Sequence, residues 1–148
     1  MTARAKAPAD TLCPSAPPEW SGAVAIGIVG GSAQAPQVTS LARPLPVSED
    51  LLKLAAPVEP TEVFRFAAPC ANGACVHFRT GSCQLAAKVV KLLAPTTDSL
   101  PYCTIRADCR WYRQEGRAAC LRCPQVVTDN VLPNAAMRRA ADPAIAAD

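Results

Sequence analysis

The chain has 148 residues, a net charge of +3 and an apolar share of 50%, but alanine and cysteine inflate that share, and only three Phe, two Tyr and two Trp supply large rings. This composition argues against a large self-sufficient core and for a small fold stabilised by disulfides, metal or a partner. The modest charge gives no general case for nucleic-acid binding: residues 70–125 carry eight basic and three acidic side chains, while the flanking segments are near balance or acidic.

The N-terminal residues 1–20 are rich in proline and alanine and read as a flexible arm. Charges near Met1 precede no apolar run, so neither a secretion signal nor a membrane span is expected, and the default compartment is the reducing cytoplasm. Cys13 lies in this arm and is left out of the metal set, with its Cys-Pro pairing the one feature against doing so.

Residues 21–69 read as a small β/α scaffold. Ser21 to Gly31 alternates small and β-branched residues and ends in a Gly-Gly turn signal, and a second strand is expected over Gln37–Leu41. Gly27, Gly30 and Gly31 lack the spacing of a nucleotide-binding loop. Arg43-Pro44-Leu45-Pro46 reads as an extended linker. Ser48 is a predicted N-cap for a short helix carrying Leu51, Leu52 and Leu54, stopped by Pro57. Thr61–Phe66 is a predicted strand delivering the chain to Cys70.

Seven of the eight cysteines fall within residues 70–125, spaced C-x4-C-x7-C-x19-C-x5-C-x10-C-x2-C, and the lone histidine, His77, follows Cys75 by two residues. Cys70 to Cys75 reads as a turn in which Gly73 takes positive φ and backbone amides face sulfur. A helix is predicted over Ser82–Leu93. It places Cys83, Ala86, Ala87 and Val90 on one buried stripe, with Gln84, Lys88 and Lys91 in water. Asp108 is the expected cap of a second helix ending near Glu115, with Gly116 as its left-handed terminal residue. Trp111 and Tyr112 on that helix are expected in the core.

Cys120 and Cys123 form the single C-x-x-C, a spacing that lets two thiolates grip one metal across a turn. Cys123-Pro124 is similar to the end of ferredoxin-type iron–sulfur motifs, although only the dipeptide matches. A thioredoxin-like redox pair fits less well, because no strand of a βαβ unit precedes Cys120. Residues 126–148 read as a mostly disordered tail.

The expected fold class is therefore small α+β: a cysteine-rich, metal-stabilised module with short helices, a small N-terminal strand pair and flexible termini. Cys103, Cys109, Cys120 and Cys123, within 21 residues, are the expected ligands of an iron–sulfur cluster. Cys70, Cys75, His77 and Cys83 are the expected second metal site. Two structural zinc sites or a disulfide-stapled domain are the alternatives.

The expected function is electron transfer or service as an accessory or adaptor to a partner enzyme. Arg106, Arg110, Arg113, Arg117 and Arg122 would surround the first site and orient an acidic protein partner. Nucleic acid, membrane and a small-molecule substrate are not expected. Catalysis has little support either, since no paired carboxylates occur and His77 has no Ser or Asp partner motif.

Overall fold

The computed structural model of the protein describes residues 11–32, 34–128 and 133–147. At its centre lies an antiparallel sheet in the order β1-β4-β2-β3, formed by β1 (Leu12–Ala16), β2 (Val24–Gly31), β3 (Pro36–Pro46) and β4 (Phe64–Pro69). The register slips between Ala25 and Gly27 in both ladders of β2. Glycine is needed there for space: a β-carbon on Gly27 would fall 2.7 Å from Val38 Cγ1 and 3.0 Å from the Thr39 carbonyl oxygen.

The expected strand pair is present, but β3 runs through Pro44 and Pro46, which had read as linker. Both prolines are tolerated because β3 is an edge strand, where a missing N–H need break no ladder bond. Residues 12–16 of the expected arm form β1, while residues 1–10 lie outside the described residues.

Helix α1 (Glu49–Lys53) starts as its sequence dictates, with the Leu51 amide donating to Ser48 Oγ at 3.1 Å. The strand expected over Thr61–Phe66 instead begins at Phe64. Ahead of it stands helix α2 (Pro60–Val63), set by a proline in its first turn and a reciprocal capping box between Glu59 and Glu62. These local signals outweigh the alternation of apolar residues.

A two-stranded hairpin, β5 (Phe78–Arg79) and β6 (Ser82–Cys83), turns on Thr80 and Gly81, whose φ values are 49° and 82°. It leads directly into α3 (Gln84–Leu92), capped by Cys83. Three short helices complete the described chain: α4 (Arg110–Glu115), α5 (Arg117–Cys120) and α6 (Ala135–Ala141). None of the described helices is long and apolar enough to cross a membrane.

The main core joins Ile26 and Ala67 of the sheet to Ala86 and Val89 of α3, Trp111 of α4, Ala119 of α5 and Met137 of α6. The scaffold segment and the cysteine segment thus share one core. A second cluster packs Phe64 and Phe66, their ring centroids 6.0 Å apart, against Leu51 and Leu52.

Lys88 was expected in water and is 1% exposed. Helix α6 covers it, and Lys88 Nζ donates to the Asp142 carbonyl oxygen at 2.6 Å. Asn134 caps α6, accepting from the Met137 amide at 2.9 Å. An ordered helix with buried Met137 and Ala140 therefore lies within the segment that had read as mostly disordered. The architecture is a small α+β fold with an antiparallel sheet and six short helices among the described residues.

Candidate metal centre

Cys103, Cys109, Cys120 and Cys123 line a single cavity whose wall also includes Arg65, Arg106 and Trp111. Cys109, in extended conformation, occupies the cap position of α4, where its side chain makes no hydrogen bond to the helix amides. Asp108 does not cap this helix as expected. It belongs to the 3-10 turn Arg106–Asp108 and instead reaches Arg113 at 3.4 Å. Gly116 sits between α4 and α5 with φ 72° and ψ −151°, a region essentially restricted to glycine. The sharp turn lets α5 return Cys120 toward Cys109, and a 3-10 turn over Cys123–Gln125 holds Cys123.

These thiols lie close enough to influence one another. Burial pushes the Cys109 thiol from 9.0 up to about 12, and Cys123 and Cys103 add to the rise. Cys123 is also raised by burial, against the lowering pull of Arg65, with Cys103 and Cys120 adding to the rise. Without a cation among them, several thiolates here would repel in a poorly solvated space.

The same wall is rich in donors. Arg65, 4% exposed, donates from Nε to the Pro14 carbonyl oxygen at 2.6 Å and from Nη1 to the Cys123 carbonyl oxygen at 2.7 Å. Its guanidinium lies 5.7 Å from the centroid of the Trp111 ring. Arg65 Nη2, Arg106 Nε and Trp111 Nε1 are all buried without a hydrogen-bond partner. Unsatisfied buried donors are costly, and on a cavity wall they fit an anionic, acceptor-rich occupant.

A second cavity is lined by Cys13, Cys70, Cys75, His77 and Cys83, together with Arg110 and Trp111. Trp111 therefore borders both cavities. The Cys70–Cys75 turn forms as expected, but the residue with positive φ is Asn72 (50°) rather than Gly73. Asn72 tolerates that conformation, and its side chain is used on both sides: Nδ2 donates to the Cys70 carbonyl oxygen at 3.2 Å, and Oδ1 accepts from Arg110. Arg110 also stacks 5.2 Å from the Phe78 ring centroid, and its Nε is buried and unpartnered.

Cys83 is gripped from α4. Gln114 Oε1 accepts from the Cys83 amide and Gln114 Nε2 donates to the Cys83 carbonyl oxygen, both at 2.8 Å. His77 lies on the wall of this cavity with Nδ1 buried and unpartnered; burial and then the Lys88 charge lower its pKa.

All eight cysteines are free thiols. Among the described residues, no group of three or more His, Cys, Asp or Glu side chains stands in an arrangement that could hold a single metal ion. A tetrahedral zinc site, with Zn–S near 2.3 Å, needs its sulfurs within about 4 Å of one another. An iron–sulfur cluster places iron and sulfide between its thiolates and takes ligands from wider-set walls.

Sequence reasoning gathered the Cys103 set and missed Cys13, Arg65 and Gln114. Only Cys13 left a trace in the sequence, its pairing with Pro14. Of the arginines expected around the first site, Arg106 lines it and Arg110 lines the second cavity. Arg122 spends its donors on the Leu93 and Ala118 carbonyl oxygens, and Arg113 and Arg117 are exposed. Compared with known protein families, curated proteins and solved structures, the chain matches none.

Proposed function

We propose that the protein binds an iron–sulfur cluster through Cys103, Cys109, Cys120 and Cys123 and serves in electron transfer or as an accessory to a partner enzyme. The observation that carries this reading is one cavity that combines four free thiols with buried, unpartnered donors on Arg65, Arg106 and Trp111.

A bound cluster would supply one-electron chemistry. The chain's own part is electrostatic. Arg65 and Arg106 offset the negative charge of thiolates and sulfide, the free N–H groups give sulfur its hydrogen bonds, and Trp111, 1% exposed, keeps water from the wall it covers. Exposed Arg113 and Arg117 near this site offer positive charge to an acidic partner.

The test is anaerobic purification followed by a visible spectrum and iron, zinc and sulfide analysis of the same sample. Brown protein with matching iron and sulfide, lost in C120S and C123S, is the expected result. Colourless protein with stoichiometric zinc would replace this reading with a structural zinc module. Protein with neither metal and no titratable thiols would replace it with a disulfide scaffold.

A further inference from the structure

We propose that Cys13, Cys70, Cys75 and Cys83 form a second four-thiolate site for an iron–sulfur cluster, with Cys13 in the place that sequence reasoning assigned to His77. The proposal deepens the reading above and rests on it for the kind of occupant, while the residues and their evidence are separate.

Strand pairing carries Cys13 to this site. In the β1–β4 ladder Cys13 faces Ala68, two residues before Cys70, and the Cys70 amide donates to the Thr11 carbonyl oxygen at 2.7 Å. Cys13 and Cys70 therefore leave adjacent strands at the same end of the sheet. The hairpin and α3 bring in Cys83, and the turn after β4 brings in Cys75, so all four line one cavity.

Three of the four sulfurs already accept from the backbone: the Asn72 amide donates to Cys70 Sγ, the His77 amide to Cys75 Sγ and the Ala86 amide to Cys83 Sγ, each at 3.4 Å. Amides aimed at sulfur two or three residues back would supply hydrogen bonds to cluster-bound cysteine. In both cavities one cysteine stands at the N-terminal boundary of a helix, Cys83 before α3 and Cys109 before α4.

Strand pairing distinguishes Cys13 from His77: the β1–β4 ladder fixes Cys13 beside the strand that ends at Cys70, whereas His77 reaches the same cavity from the turn before the hairpin. Arg110 Nε supplies an unpartnered donor on this wall. The cavity measures about 400 Å³, against about 70 Å³ for the first.

The test compares full-length wild type, C13S, C75S, H77Q and C120S after anaerobic reconstitution with iron and sulfide. Iron and sulfide per chain are read together with the electron paramagnetic resonance signal of the reduced protein. Wild type is expected to hold two clusters. C13S and C75S are each expected to lose half the iron and one of two overlapping signals, C120S to lose the other half, and H77Q to keep both.

Cys75 lies on a surface turn, so C75S carries the test if C13S disturbs β1. Wild type with a single cluster that survives C13S and C75S but not C120S would overturn this proposal and leave the first reading standing. Half the iron lost in H77Q, with none lost in C13S, would overturn the exchange of Cys13 for His77. Iron unaffected by C120S but halved by C13S would sink the first site and keep the second.

Discussion

Arg65 Nη1 donates to the carbonyl oxygen of Cys123 at 2.7 Å, across 58 positions of sequence. The same guanidinium holds the Pro14 carbonyl oxygen through Nε at 2.6 Å. One side chain on β4 thereby ties edge strand β1 to the last cysteine of the chain. Hydrogen bonds from a charged donor contribute about 1.5–3 kcal/mol each, so losing both in R65M is expected to cost about 3–6 kcal/mol in metal-free protein. The cost should be larger after metal loading, because the lost cation then faces an anionic occupant. Denaturant titrations of both forms check this, and an equal cost in the two would mean that Arg65 is purely a structural strut.

Gly116 sits at φ 72° and ψ −151°, and a β-carbon there would meet nothing within 4 Å. G116A thus isolates backbone strain from crowding. A destabilisation of about 1–3 kcal/mol is expected, along with weaker retention of the proposed cluster, because this residue sets the angle between α4, which follows Cys109, and α5, which carries Cys120. An unchanged unfolding midpoint would show that the α4–α5 turn relaxes freely.

Lys88 has its pKa lowered from 10.5, first by burial and then by Arg79, against the raising effect of Asp142. As pH rises from its lowered folded pKa toward 10.5, the folded state sheds this proton before the unfolded state does. The unfolded chain holds more protons in that window, so stability gains with pH there. The stability of wild type relative to K88M should therefore improve as pH rises through the window and level off above 10.5. Unfolding midpoints of the two proteins across the alkaline range measure it, and a flat difference would mean that α6 leaves the amine solvated.

Local signals made much of the fold legible. Ser48 marked a helix start, the apolar stripe from Cys83 marked α3, and Gly116 marked a helix end. Cys103, Cys109, Cys120 and Cys123 were grouped by short spacing, and the structure places them around one cavity.

What stayed hidden depends on distant pairing. Cys13 reaches its neighbours through a ladder that joins residues more than 50 positions apart, and nothing near Pro14 announces that register. Lys88 had read as solvated because its burial comes from α6 in the distant C-terminal segment. Gln114 grips a backbone 31 positions away, a contact written in no periodicity. The α2 turn was legible in principle, since Glu59-Pro60 with Glu62 is a capping signal that alternation masked.

Trp111 stands in the wall of both cavities, while Trp20 borders the one that holds Cys13. These are the two indoles of the chain. An occupant that absorbs near-ultraviolet and visible light would drain indole emission by energy transfer, so W20F protein would carry a single lamp that dims as either cavity fills. The shared tryptophan would in this way serve as an optical gauge of loading on the partition between the two cavities.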